Sequence, residues 1–285
     1  MIVAYNRLSE TPYDTLVRIQ QEYQLATAKL VYTGRLDPMA QGILPLLLDE
    51  EAKQLGSYLH HDKTYTAEAV LGLATDTYDA MGLITDNKVV GLNEVAQFQA
   101  KLQALSGTTI KQQYPIYSAY RIKNKQLHWW VKQGRIDEIR DKIPVKERQI
   151  YQLDLIETQE VSLTDYAQQV CAEISLVRGE FRQQEIISQW QRIAQTNPAR
   201  RLYLVKFQAN VASGTYIRTL VHQCLEGLPA HAHAITRTKY GPWTMDHVGT
   251  FQVDAGQLSA KTGASPSPDD RDSTSSSDKM GSKSN

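Results

Sequence analysis

Between Lys63 and Gly72 apolar and polar side chains alternate: Tyr65, Ala67, Ala69 and Leu71 fall on one side, Thr64, Thr66 and Glu68 on the other. A period of two belongs to a strand with one face turned inward, so this segment is read as a strand carrying Tyr65 on its less polar face. Val205, Phe207, Ala209 and Val211 alternate with Lys206, Gln208 and Asn210 in the same manner and predict a second strand, ended by Ser213-Gly214-Thr215. The apolar run around Leu46 to Leu48 predicts a buried strand. Other stretches keep helical spacing. Ala52, Leu55 and Leu59 share one face of a helix over Glu50 to Leu59, and Asn93 to Leu105 reads as a helix with Asn93 as its cap. Gly72 to Gly82, rich in Thr, Asp and Gly, is expected to be a loop.

The helix expected after Thr215 gathers Tyr216, Ile217, Leu220, Val221, Cys224 and Leu225 on one half of its wheel and leaves Arg218 and His222 on the other. Arg218 then sits in the first turn, where the helix dipole disfavours a cation. A nearby anion or plain solvation would each account for it. Asp37 presents a similar choice. Pro38 keeps its backbone out of the helical region and extended, yet an Asp before a Pro is also an ordinary helix cap.

The segment Tyr32-Thr33-Gly34-Arg35-Leu36-Asp37-Pro38-Met39-Ala40-Gln41-Gly42 resembles the active-site motif of the TruB-type tRNA pseudouridine synthases. Four further stretches resemble that family's motifs in the family's order. They are Asp62 to Tyr65, Gly72 to Asp79 with Gly82, Gln113 to Ala119, and Ser213 to Leu220 followed by Ile235-Thr236-Arg237-Thr238. Five collinear motifs are much harder to obtain by chance than one. Two departures stand out: Asn6 and Arg7 occupy the place of the family's Lys-Pro pair, ahead of Ser9-Glu10-Thr11-Pro12, and Tyr32 stands where many relatives have His.

The resemblance implies an α+β pseudouridine synthase catalytic fold, with a mixed, largely antiparallel sheet, flanking helices and an RNA-clasping insertion at about residues 106–150. It implies isomerisation of a uridine in the TΨC arm of tRNA, with no cofactor and no metal. Asp37 matches the family's nucleophile and Arg218 its ion-pair partner. Tyr65 matches the strand tyrosine that stacks on the base, and proton removal from the base falls to it. Tyr216 and Ile235 match positions that contact the flipped-out base, Ile standing for the more usual Leu. Tyr32 could stack on RNA in place of the histidine.

Composition narrows the setting. Lys plus Arg and Asp plus Glu both number 31, a net charge of zero that is unusual for a nucleic-acid protein. The distribution is uneven, with nine cations against four acids from Arg121 to Arg148, interleaved early on with Tyr117, Tyr120, Trp129 and Trp130. Cations for phosphates and rings for bases suit an RNA surface. A solvated face over an aromatic cluster gives the same pattern. Two cysteines, Cys171 and Cys224, make no disulfide framework. With no apolar run of membrane-spanning length and no signal peptide, we expect a cytoplasmic, monomeric enzyme whose partner is tRNA and not a membrane.

Residues 1–258 are read as the catalytic domain and 259–285, rich in Ser, Asp, Lys and Gly, as a disordered tail. No strand pattern for a C-terminal PUA domain is evident. His222-Gln223-Cys224 and His231-Ala232-His233 could suggest a metal, but on a helix residues two apart diverge by about 200°. A metal-dependent hydrolase built on Asp76 and Asp79 lacks further clustered carboxylates. The alternative of a non-catalytic tRNA-binding module would be marked by loss of Asp37 or Arg218, and both are present.

Overall fold

A computed structural model describes residues 1–251. The chain opens with β1 (Ile2–Asn6), α1 (Pro12–Glu22), β2 (Leu30–Tyr32), β3 (Ala40–Leu48) and, after a 3-10 segment, α2 (Leu55–Tyr58). Then come β4 (Lys63–Leu71), β5 (Leu73–Thr75), β6 (Ile84–Asn87), α3 (Leu92–Ala104), β7 (Thr109–Gln113), β8 (Arg121–Ile122), β9 (Lys125–Gln126) and α4 (Leu127–Lys132). The remainder is β10 (Val145–Ser162), α5 (Leu163–Leu176), α6 (Gln183–Thr196), β11 (Arg201–Val211), α7 (Ile217–Gln223), β12 (Ala230–Tyr240) and β13 (Trp243–Thr244).

One large sheet runs in the order β1-β3-β12-β4-β11-β10-β7, with β2 on β3 and β13 on β12. Every pairing in it is antiparallel except β3 with β12, which run parallel from Ile235 opposite Ala40 to Arg237 opposite Gly42. The two predicted alternations explain its layers. Ala67, Ala69, Phe207 and Ala209 point to one face, where Phe98 and Leu102 of α3 and Ile217, Leu220 and Val221 of α7 cover them. Val70, Leu202 and Leu204 point to the other, against α5 and α6. Each fully buried Leu, Ile or Phe side chain stabilises by about 1.5–3 kcal/mol, so both faces are bound into the core.

The α5–α6 hairpin carries a helical signal that the motifs overshadow: Leu163, Tyr166, Ala167, Val170 and Ile174 all face inward. The Ser162 hydroxyl caps α5, accepting from the amides of Thr164 and Asp165. On α6, Trp190 is fully buried and donates its indole N–H to Ala80 O at 3.3 Å.

Several expectations need correction. Gly72 to Gly82 is not all loop, because Leu73–Thr75 pairs with Ile84–Asn87. The cap of α3 is Gly91, whose amide donates to Glu94 Oε2 at 3.1 Å, and Asn93 lies inside the helix. Over Glu50 to Leu59 the chain winds first as 3-10 (Asp49–Gln54) and only then as α2. His231-Ala232-His233 lies on β12, so the divergence of helical neighbours does not apply to it. The expected tail, 259–285, lies outside the described residues.

Candidate active site

Asp37 sits on a segment held from several sides. Thr33 donates its amide (3.0 Å) and its hydroxyl (3.1 Å) to Pro45 O. The Tyr240 hydroxyl donates to Thr33 O at 2.6 Å. The Ser9 amide donates to Pro38 O at 2.9 Å, and the Ala40 amide to Asp37 O at 2.8 Å. No helix begins at Pro38; the chain turns and enters β3, which removes the capping reading of Asp37. The departure at Asn6 also becomes legible. Asn6 is fully buried, and its amide donates to Glu10 O at 3.0 Å and to Ala40 O at 3.4 Å while its Oδ1 accepts from the Thr15 hydroxyl. Asn6 thus ties β1 to the end of the Asp37 segment.

Arg237, 1% exposed, braces the segment from below. Its Nε donates to Ile43 O at 2.8 Å and its Nη1 to Arg35 O at 3.2 Å. β3 can lie this close to β12 because residue 42 is glycine. Its φ is +116°, and a Cβ there would collide with the backbone of Arg237.

Arg218 enters from α7, for which Tyr216 is the cap. The buried Gln112 side chain fixes that cap, accepting from Tyr216 N and donating to Tyr216 O, both at 3.1 Å. The wheel placed Arg218 on the polar half, but its side chain is 2% exposed. It donates from Nε to Asp37 Oδ2 at 2.9 Å, from Nη1 to Thr77 O at 2.7 Å and from Nη2 to Tyr117 O at 3.0 Å. The anion reading therefore wins over solvation. Burial opposes its charge, but Asp37 and then Asp79 outweigh that and hold the Arg218 pKa above the ordinary value.

Asp79, weighed only as a metal ligand, is the second acid of the site: its Oδ2 lies 4.0 Å from Arg218 Nε. Its Oδ1 accepts from the Thr77 hydroxyl at 2.6 Å and from the Met81 amide at 3.0 Å. Burial raises its pKa to about 6, against the pull of Arg218. Asp37, in contrast, leaves 39% of its side chain exposed. One face of that carboxylate is thus pinned by a buried guanidinium and the other is open.

Around this pair the structure gathers most of the expected residues. Tyr65 packs on the cluster that contains Leu36, Ile217 and Ile235, and it lies opposite Arg237 in the β4–β12 register. Ile235 is buried beside Ala40. The Tyr216 ring lies 5.6 Å from the Arg218 guanidinium and meets Tyr114 edge-on. Burial raises its hydroxyl pKa. Tyr32 is not in this group; it lies opposite Leu46 and packs with Ile2, Ala4 and Leu44.

The insertion spends its aromatic rings on itself. Leu127, Trp130, Ile139 and Ile143 form a small core, with Trp129, Tyr120 and Tyr114 against it. The Tyr117 hydroxyl donates to Asp76 Oδ2 at 3.0 Å. Among the cations, Arg135 pairs with Glu138, Arg140 with Asp137, and Arg148 donates to Gly214 O. Lys123, Lys142 and Lys146 are exposed.

The histidines behind the sheet form a proton-sensitive cluster. Burial holds His231 down to about 4; neutral, it donates from Nδ1 to Leu73 O and accepts at Nε2 from the Tyr166 hydroxyl, both at 2.8 Å. His233 donates from Nε2 to Glu173 Oε2 at 2.9 Å, with Glu68 at 3.5 Å from Nδ1. Burial opposes its charge, yet the two carboxylates raise its pKa to about 9. Burial also lifts the Cys224 thiol to about 12, which excludes a thiolate nucleophile there. Among the described residues, no three His, Cys, Asp or Glu side chains are grouped to hold a metal ion. No helix among them is long and apolar enough to cross a membrane.

The model of the TruB family pseudouridylate synthase N-terminal domain matches residues 22–179, more than half of the chain. The chain belongs to the TruB family. Its curated relatives in that family include the tRNA pseudouridine synthase B of Bacillus licheniformis, 28% identical over 255 residues that cover 88% of this chain and 68% of the relative. That of Burkholderia pseudomallei is 30% identical over 242 residues, covering 84% of this chain and 64% of the relative. A solved Cbf5-Nop10-Gar1 complex contains a similar chain, at 19% identity and a TM-score of 0.49, over 86% of this chain and 50% of that one. The chain spans about two thirds of those curated TruB relatives and half of that solved chain.

Proposed function

We propose that this protein isomerises a uridine in the TΨC arm of tRNA to pseudouridine, with Asp37 as the nucleophile acting on a base flipped out of the RNA. The observation that carries the reading is the Arg218–Asp37 contact: a fully buried guanidinium at 2.9 Å pins a carboxylate that stays open on its other side. The guanidinium holds one carboxylate oxygen and so orients the other toward the open side, where a reacting atom can approach it. The curated relatives named tRNA pseudouridine synthase B support tRNA as the RNA.

Extruding a base from a folded RNA arm costs a few kcal/mol. Tyr65, Ile235 and Tyr216 line the apolar side of the site and offer the surfaces that would take up the flipped base. In the reaction an Asp37 carboxylate oxygen bonds to C1′ as the C1′–N1 bond breaks and the base leaves as its N1 anion; the base turns, C5 bonds to C1′ as the Asp37–C1′ bond breaks, and Tyr65 takes the C5 proton while its own hydroxyl proton passes through water to N1. Atoms and electrons balance without a co-reactant. Tyr32, half-exposed at the start of the segment, is assigned to stacking on RNA outside the pocket, and the exposed lysines of the insertion to phosphate contact.

The test is incubation with an unmodified tRNA transcript followed by pseudouridine mapping. We expect one modified uridine in the TΨC loop, and none with Asp37→Asn, whose amide keeps the shape but is a very poor nucleophile. Substantial turnover by Asp37→Asn would rule out the proposed role of Asp37, and modification elsewhere would rule out the proposed target.

A further inference from the structure

Arg218 reaches Asp37 in one orientation only because two backbone carbonyls, Thr77 O and Tyr117 O, hold the other edge of its guanidinium. These carbonyls come from segments 40 residues apart in the chain, and a single side chain, Asp76, joins them. Asp76 precedes Thr77, its Oδ1 accepts from Leu83 N at 2.9 Å, and its Oδ2 accepts from the Tyr117 hydroxyl at 3.0 Å. Asp76 is in turn gripped by a fork: Arg182 donates from Nη1 to Oδ2 at 2.7 Å and from Nη2 to Oδ1 at 3.1 Å. The same guanidinium lies 4.8 Å over the Tyr117 ring.

Arg182 stands at the start of α6 with φ +64°, a left-handed backbone that is costly for a side chain of this size. The hairpin supports that conformation locally: Gln183 Oε1 accepts from Phe181 N, and Gln183 Nε2 donates to Gly179 O. Arg182 also lies beyond residue 179, where the family match ends. A bidentate arginine-carboxylate pair that is only partly exposed, with side-chain exposures of 30% and 20%, is a strong and directional contact.

We propose that Arg182 is a positioning residue for the reaction: by clamping Asp76 it fixes the two carbonyls that aim Arg218 at Asp37, and it makes the α5–α6 hairpin part of the active-site scaffold. This inference rests on the functional reading above. Arg182 acts through Asp76, Thr77, Tyr117 and Arg218, so its loss moves the geometry of the ion pair and leaves the RNA-facing surface in place.

The test combines kinetics on an unmodified tRNA transcript with a readout that needs no substrate, the water exchange of the Arg218 Nε–H in arginine-selective NMR. In Arg182→Gln we expect kcat lowered by roughly ten- to a hundredfold and KM changed less than about threefold, because small misplacements around a reacting centre are felt in the chemical step. Exchange at Arg218 should quicken in parallel. Arg182→Lys should recover part of both, since a point charge cannot reproduce the fork; it also serves if Arg182→Gln does not fold. Adding Asp76→Asn to Arg182→Gln should cost little more than either alone, as expected for a shared path. Arg201→Gln, which breaks an exposed pair with Glu160, should change nothing. A raised KM with unchanged kcat would overturn the proposal in favour of a direct phosphate contact, and unchanged kinetics with unchanged exchange would reduce the pair to a surface ion pair. A wild-type protein inactive on tRNA would sink the functional reading, and the exchange measurement would then decide the clamp alone.

Discussion

Arg218→Ala should be among the most damaging single substitutions in this molecule. The side chain is 2% exposed and makes charge-assisted contacts of 2.9, 2.7 and 3.0 Å. Truncation leaves Asp79 buried without a cation and strips Thr77 O and Tyr117 O of their donor. Breaking a buried charge pair by removing one partner costs about 3–5 kcal/mol, which for a chain of this size lowers Tm by roughly 10 °C. The dependence on pH separates this mechanism from a simple cavity. Burial already pushes Asp79 to about 6 against the pull of Arg218, and without the guanidinium its carboxyl moves higher still. A carboxyl whose folded pKa exceeds its unfolded value of about 3.9 carries no penalty while both states are protonated, a growing one as pH rises from the unfolded value to the folded one, and a constant one above it, so the wild-type penalty levels off near pH ~6 while that of the variant goes on growing. The stability gap between wild type and Arg218→Ala should therefore widen above pH ~6, and Asp79→Asn in both backgrounds should remove most of the widening. Urea unfolding followed by far-UV circular dichroism from pH ~4 to ~8 measures it. A gap below about 1 kcal/mol, or one that does not change with pH, would refute the buried-pair argument.

Three further expectations are open to direct measurement. Gly42→Ala forces a Cβ into the Arg237 backbone at a φ that L residues rarely adopt; it should cost about 3 kcal/mol or more in unfolding experiments, and wild-type stability would show that β3 and β12 can separate. His233 has a folded pKa raised to about 9, so its stabilising charge is fully present below its unfolded value of about 6.5 and lost as pH rises through 9. The Tm advantage of wild type over His233→Gln should shrink across that window, and an advantage constant with pH would exclude a charged His233 between Glu68 and Glu173. Lys142→Glu with Lys146→Glu should weaken tRNA binding and flatten its log-log salt dependence by about one unit per lost phosphate contact, whereas unchanged filter-binding curves would remove the insertion from the RNA surface.

Much of the site was legible because it is written in local pattern. The alternation over Lys63 to Leu71 and Val205 to Val211 identified two central strands, and the five motifs marked Asp37, Arg218, Tyr65, Tyr216 and Ile235 before any contact was known. What stayed hidden depended on partners distant in sequence. A helical wheel reports the average polarity of a face and cannot show that two carbonyls and two carboxylates wait there to solvate a buried guanidinium, as they do for Arg218. Asn6 and Arg237 act through single contacts to a segment they do not adjoin. For Trp130 the pattern left base stacking and an aromatic cluster both open, and Leu127, Ile139 and Ile143 fold back over it to make the cluster. For His231 and His233 helical spacing was applied to residues that lie on a strand, where positions two apart place both rings on one face.

The position of β12 has a consequence for the timing of biosynthesis. This strand lies between β3 and β4, yet it is made after both, and its Arg237 bonds Ile43 across 194 positions of chain. Such distant pairing is slow to form, and a chain emerging from the ribosome holds the Asp37 segment for most of its synthesis without the neighbour that seats it. Until Ala230–Tyr240 is free to insert, the middle of the sheet is a gap and Gly42 has nothing to lie against. Completion of the sheet and the seating of the Asp37 segment against Arg237 therefore coincide.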